Sequence, residues 1–434
     1  MHGDLHVMTS DPSARVEHAP SWFDSFLFLA LMSGPPNFRD RDPYASLNGE
    51  LDLVAMIQIG VWICGGLWVL ARLYPSVLRR GILPAVNPSQ AMGALFIAAL
   101  TLSLWESPGF YLTAFTLGQF AVMLGFVWVF THRFGTDATL RHLFIGVSVL
   151  ALLTVAALYF APELVADGTG FETRVRGSNI ADTGSVAVIG LVLCLSGIPS
   201  LRGPMFWGAF SLFGVLLAAS RTRSAYVALV VFLAIGVIFG GRLRVRALIL
   251  PIAALAVGVF LLDVTSSTTN YLVRDTASIE SMSDRIPLWE YLTSAVMRES
   301  PITGLGYFAA SRVLATEYNP GLGNAHSVFF EVLVGGGILG VATYLMFCVS
   351  LVVFAVRLLR VASGQPGAVA AVGLLAVTLL LGFTSQAALH AGPLGFAFWS
   401  LTALLPRLSL EAAYNSIAGQ QPLRSSSMIG LRNA

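Results

Sequence analysis

Long apolar runs separated by short charged or turn-forming breaks recur along almost the whole chain, near 22–34, 52–71, 88–105, 109–131, 142–161, 183–199, 204–219, 224–240, 247–263, 328–356, 368–388 and 392–406. A helix needs about 20 apolar residues to cross the hydrocarbon core of a bilayer, and most of these runs approach or meet that length. The pattern therefore predicts an all-α polytopic membrane protein with about 12 transmembrane helices, eleven or twelve depending on the first run. That first run contains Asp24 and is short, so a re-entrant or interfacial helix is an alternative to a full crossing.

Arginine accumulates in alternate breaks, at Arg72, Arg79 and Arg80, at Arg133 and Arg141, at Arg202, at Arg242, Arg244 and Arg246, at Arg357 and Arg360, and at Arg407. Short cytoplasmic loops carry such an excess, which puts these breaks inside. The opposite set is 35–51, 162–182, 220–223, 264–327 and 389–391. Only 264–327 is long, and it is the natural seat of an external function. Within it, Asp284 to Arg298 has helical spacing, with Ile286, Leu288, Trp289, Leu292 and Val296 as the apolar set. One amphipathic helix is expected there, and Pro301, Gly304 and Gly306 should end it and turn the chain back toward the membrane.

Composition sharpens this picture. The 434 residues are 56% hydrophobic and only 11% charged, against about a quarter charged in soluble domains. All 25 basic residues are arginine, so every positive charge is permanent and fork-shaped. Net charge is +2, which says little, and no nucleic-acid partner is expected. Cys64, Cys194 and Cys348 each fall inside an apolar run, which favours small core residues over a disulfide or zinc cluster. The polar stretches 1–21 and 414–434 read as disordered cytoplasmic tails around one integral membrane domain, 22–413.

The candidate chemistry lies at the external ends of the predicted helices. Arg174 and Arg176 precede the run that begins near 183, Arg221 and Arg223 open the next external-to-internal run, and His326 opens the one near 328. Helix amino termini are already partly positive, so arginines there are unfavourable unless an anion sits among them. Guanidinium forks and free backbone N–H groups suit a phosphate, and a diphosphate better than a lone carboxylate. Cleavage of a sugar–diphosphate bond builds negative charge that fixed arginines would stabilise.

Transfer to a hydroxyl also needs a proton acceptor, for which His326 is the best-placed residue, a helix-capping histidine being the alternative. His390, in a short external break, is a candidate for acceptor binding or for supporting the site. Arg285 and Trp289 lie one turn apart on the loop helix, suited to phosphate and sugar contact, with membrane-interface anchoring an equal alternative for the tryptophan. Arg274, Arg298 and Arg312 read as ordinary loop charges, and Glu331 as a helix-stabilising or internally paired carboxylate. The glycines Gly335, Gly336, Gly337 and Gly340 read as a surface for close packing. Asp40-Arg41-Asp42 is a D-x-D sequence, better explained by a solvated turn before Pro43 than by metal binding.

His326-Ser327, nine residues and then Gly337-x-x-Gly340 resemble the histidine motif of bacterial O-antigen ligases. Ser220 to Ala225 is similar to that family's arginine-bearing segment, and Arg285-x-x-Leu288-Trp289 followed by Pro301-x-x-Gly304-x-Gly306 to its external loop. The resemblance spans 174–344. The superfamily includes ligases, repeat-unit polymerases for O-antigen or exopolysaccharide, and pilin oligosaccharyltransferases. It implies a GT-C-like O-antigen ligase-type fold with one large periplasmic loop, in the bacterial inner membrane. The mechanism it implies is metal-independent and without cofactor. By position, His326 becomes the base and Arg221, Arg223 and Arg285 the leading diphosphate ligands. Arg174 and Arg176 match less closely, because Ser178-Asn179-Ile180 stands where the family has asparagine-proline.

The implied partners are an undecaprenyl diphosphate-linked glycan, a glycan or lipid A core acceptor, the lipid bilayer and other polysaccharide export proteins. The leaning is toward a repeat-unit polymerase, with a ligase second. A lipid-linked oligosaccharide transporter is the contrasting class, but it would place ionisable residues at mid-membrane depth.

Overall fold

A computed structural model of the chain describes residues 19–33, 52–80, 86–167, 174–175, 183–198, 201, 203–220, 222–239, 285–319 and 323–418. The helices are α1 (Trp22–Ser33), α2 (Leu53–Arg80), α3 (Pro88–Thr101), α4 (Phe110–Phe160), α5 (Thr183–Leu195), α6 (Pro204–Ser220) and α7 (Arg223–Phe239). They continue with α8 (Arg285–Glu299), α9 (Ala309–Tyr318), α10 (Val328–Ala362), α11 (Pro366–Thr384) and α12 (Pro393–Ala418). A two-residue antiparallel ladder, β1 (Ala166–Asp167) with β2 (Arg174–Val175), interrupts the helices between α4 and α5.

Every predicted run except 247–263, which lies outside the described residues, coincides with a helix. By length and composition, Leu53–Tyr74, Pro88–Glu106, Phe110–Phe160, Val328–Ala362 and Pro366–Thr384 can cross a membrane, and α1, α5, α6 and α7 are shorter apolar helices. This is a multi-pass membrane protein. The loop helix falls as predicted, at α8, but a second loop helix, α9, follows the Pro301–Gly306 turn and was not anticipated. α12 runs on through Ala418, into the stretch whose composition suggested a tail.

At 51 residues, α4 is far too long for one crossing, since a helix rises about 1.5 Å per residue. Gly135 breaks it with φ 91° and ψ 168°, a conformation open to glycine alone. The Thr131 and Thr139 hydroxyls meet at 3.0 Å across the break, so two predicted crossings are joined by a turn of minimal length. Arg407 of α12 donates from Nη1 to the carbonyls of Thr131 and His132, satisfying acceptors that the helix end leaves open. At α3 the corresponding work is done by a capping box, Asn87 with Gln90, and by Pro88 in the first helical turn.

Lipid tails are as apolar as leucine, so helices in a bilayer associate through close fit and satisfied polar groups. α10 packs along α3, and α4 along α12, around the fully buried rings of Phe96, Phe120, Phe347, Phe398 and Trp399. Large apolar side chains face outward instead on α2, where Leu67 and Ile63 are exposed. Trp22, Trp105 and Tyr159 are among the most exposed aromatics, as interface-anchoring rings would be.

Asp24 also finds a structural explanation. It is buried and accepts from the Ser21 N–H and Oγ, from Trp68 Nε1 at 2.8 Å and from Arg72 Nη2 at 3.1 Å. Both of its oxygens are thus occupied, and the acid ties α1 to α2 at the end of the bundle assigned to the cytoplasm.

Candidate functional site at the start of α10

The segment after α8, part of the loop expected to be external, closes onto a broken helix. α10 is interrupted at Gly337, φ 59° and ψ −156°, which strips nearby backbone groups of their helical partners. The turn after α8 replaces them. Ile338 N–H donates to the Pro301 carbonyl at 2.9 Å, Leu339 N–H to Ile302 at 3.1 Å, and Leu305 N–H to Val334 at 2.8 Å. A methyl group on Gly304 would lie 2.5 Å from the backbone nitrogens of Gly336 and Gly337, and one on Gly335 would meet Tyr307. The glycine run does serve close approach, as expected, but mostly to this loop; Gly336 and Gly340 admit Leu100 of α3.

Above the break, a small separate core joins α8, α9 and the first turns of α10 through Leu288, Leu292, Val296, Leu305, Ala310, Ala325 and Val334. This matches the predicted apolar face of the loop helix, save that Ile286 is exposed. The core fixes α8 so that Trp289 stacks on Phe330 at 4.5 Å and 12° and donates from Nε1 to the Ala325 carbonyl at 2.8 Å. Arg285, one turn earlier, donates from Nη1 to the Thr384 carbonyl at the end of α11, 3.4 Å away. Partial burial lowers its pKa from the usual arginine value.

His326 directly precedes the α10 cap, Ser327, and has φ 51°, one of two non-glycine residues among those described with positive φ. Its N–H donates to Asn324 Oδ1 at 2.7 Å. Sparsely populated backbone of this kind costs about 1–3 kcal/mol and concentrates at functional sites. The structure therefore brings Arg285, Trp289 and His326 together where α8, α10 and α11 meet; Gly382, near the end of α11, faces Val328. A groove lined by Ile286, Trp289, Glu290, Thr293, Ser294 and Phe330 runs beside them.

Behind His326 lies a second cluster that the sequence did not reveal. Arg312 is not an ordinary loop charge: its guanidinium sits 3.3 Å over the Phe308 ring and donates to the Phe308 carbonyl at 3.1 Å. Burial presses its pKa down to about 10, while Glu331 and Tyr307 oppose that shift, so it stays charged at neutral pH. Glu331 is fully buried, with Oε1 accepting from Ser311 Oγ at 2.7 Å and Oε2 accepting no hydrogen bond from the described residues. It is thus an internally paired carboxylate, one of the two roles expected of it.

The His390 ring lies among Phe120, Tyr307 and Phe308, 4.3 Å from the last, and among the described residues neither its buried Nε2 nor the Tyr307 hydroxyl has a hydrogen-bond partner. Burial first, and then the Arg312 charge, hold the His390 pKa well below the ordinary histidine value. Tyr307 is pushed far up by burial and by Glu331. Both are neutral. The only signal of this cluster in the sequence was an acid, Glu331, inside an apolar run, which demands a partner without saying which.

Of the remaining candidates, Arg223 is exposed at the start of α7, next to Thr222, which lies against Gly184 of α5. Arg174 belongs to β2, and its side chain, like Arg176, Arg221, Arg274 and Asp40-Arg41-Asp42, lies outside what is described. Arg298 is exposed and pairs with Glu299.

A family model described as O-antigen ligase matches residues 208–345. Over this segment, about a third of the chain, the protein is similar to the O-antigen ligases, in line with the resemblance read from the sequence. The matched segment contains Arg221, Arg223, Arg285, Trp289, Arg312, His326 and Glu331, and ends just beyond the broken part of α10. Arg174, Arg176 and His390 fall outside it. No curated protein matches the chain.

Proposed function

We propose that this O-antigen ligase-type protein transfers a glycan from undecaprenyl diphosphate to an acceptor hydroxyl at the periplasmic face of the bacterial inner membrane. His326 takes the proton of the acceptor hydroxyl as its oxygen bonds to the anomeric carbon. The bond from that carbon to the diphosphate breaks, and the leaving diphosphate keeps the electron pair. Arg221, Arg223 and Arg285, with Arg174 and Arg176 as further ligands, carry the growing negative charge, and no metal enters the step. Trp289 borders the groove that receives a sugar, and His390 supports the site from behind. The reading takes the chain to have about 12 crossings and 264–327 as its periplasmic loop.

The observation that carries this reading is the convergence of Arg285 and the φ-strained His326 at one end of the bundle, inside the family match. The first form of the reading is a repeat-unit polymerase whose acceptor is another lipid-linked glycan. A ligase onto lipid A core is the second, favoured by the description of the matching family model. The test is transfer from a purified lipid diphosphate donor to each acceptor offered separately. A lengthened lipid-linked glycan identifies the polymerase, and glycosylated lipid A core the ligase. Absence of transfer to either acceptor would sink both forms.

A further inference from the structure

The backbone on either side of Ala325, just before His326, is held from two elements at once. The Ala325 carbonyl accepts the indole N–H of Trp289 from α8 at 2.8 Å, and the Ala325 N–H faces the Glu331 carboxylate on α10. Asn324 Oδ1 adds a further bond, to the His326 N–H. Ala325 is 0% exposed, so water offers neither of its peptide groups an alternative. Each grip is itself braced: Glu331 by the buried Ser311 hydroxyl, and Trp289 by its stack on Phe330. A φ of 51° at His326 needs such over-determination to persist. Neither bracing group is available for other work, since the indole N–H is engaged and the carboxylate is fully buried.

We propose that Glu331 and Trp289 are positioning residues that clamp the backbone at Ala325 and so present His326 to the acceptor hydroxyl in one orientation. This rests on His326 being the base in the transfer reaction. It assigns Trp289 a backbone-holding role beyond the sugar contact that its ring suggests. Because the clamp acts on orientation, its loss slows the chemical step and leaves donor binding by the arginines intact; a displacement of about 1 Å can cost ~10²-fold in rate.

The test uses the full chain in nanodiscs, with the lipid diphosphate donor, and compares wild type, Trp289→Phe, Glu331→Leu, Glu331→Gln and His326→Ala. Amide hydrogen exchange over 323–327 is measured on the same samples. Trp289→Phe and Glu331→Leu are expected to lower kcat by roughly 10–100-fold, to leave donor KM within about twofold, and to speed exchange at Ala325 and His326 by about tenfold or more. Glu331→Gln, whose amide oxygen still accepts from Ser311 and still faces the Ala325 N–H, should stay within about threefold of wild type. Should Glu331→Leu fail to fold, Trp289→Phe carries the same prediction.

Wild-type kcat or unchanged exchange in Trp289→Phe overturns the clamp. So does a loss in Glu331→Gln as deep as in Glu331→Leu. The function is judged separately: a dead His326→Ala alongside an unaffected Trp289→Phe leaves the transfer reaction standing without the clamp. Full activity in His326→Ala removes the transfer reading, and with it the role of Glu331 and Trp289 in presenting a base.

Discussion

Two buried carboxylates, each near an arginine and an aromatic ring, sit at opposite ends of this bundle and are treated differently by the fold. Asp24 has every acceptor position in use, by Ser21, Trp68 and Arg72. Among the described residues, Glu331 has one oxygen bonded and the other not, and its neighbours Tyr307 and His390 likewise keep buried polar atoms without partners. A satisfied network fixes elements in place; a half-satisfied one costs stability, because an unpaired buried polar atom forfeits about 1–3 kcal/mol. The first cluster locks α1 to α2. The second lies directly behind the strained His326 backbone, where tolerated cost points to a site built for chemistry.

The comparison can be broken most severely at its structural end. Asp24→Ala should destabilise the folded chain by about 3 kcal/mol, the low end of the cost of splitting a buried pair because Arg72 is a third exposed. Thermal unfolding in detergent measures this, while transfer activity per folded molecule should hold at the wild-type level. A stable but inactive Asp24→Ala would erase the contrast. At the other end, Arg285→Ala should leave the melting temperature nearly unchanged and lower transfer by about 10²-fold, the scale of losing one donor to a developing anion. A large stability loss without a rate defect would make Arg285 a structural residue, bound to Thr384 and nothing else.

A smaller effect concerns pH. The folded protein keeps His390 neutral well below the ordinary histidine pKa, whereas the unfolded chain takes up a proton near pH 6.5. The folded pKa is therefore depressed, so the stability linked to this group is complete above about pH 6.5 and is lost as pH falls, by up to about 1.4 kcal/mol per unit. Melting curves from pH 7.5 down to 5.5 should fall less steeply in His390→Leu than in wild type. Equal slopes would mean that the imidazole is not held neutral. The smallest expected effect is none at all: transfer rates should be the same with and without EDTA, and an EDTA-sensitive rate would contradict the arginine-only account of charge stabilisation.

The two ends were not equally legible. Hydropathy runs and the arginine bias mark where helices lie and which ends share a side, because lipid exposure acts on every residue of a span. For the same reason the loop helix at α8 and the position of His326 ahead of α10 could be read directly. Pairing across long separations left no such trace: Ser311 with Glu331, or Arg312 with His390, are brought together only by the turn at Pro301–Gly306 and the break at Gly337. Arg312 looked like a solvated charge because nothing local distinguishes an arginine over a phenylalanine ring from one in water. α9 escaped notice since its ten residues are short and alanine-rich, and they take their place from packing against α8 and α10 rather than from periodicity.

The most direct measurement is single-turnover glycan transfer from a purified undecaprenyl diphosphate donor by wild type and His326→Ala, with donor binding measured on the same samples. The account predicts unchanged donor affinity and a rate lowered by about 10²–10⁴-fold in His326→Ala, the range for loss of a general base. A His326→Ala protein that transfers glycan at the wild-type rate would contradict it.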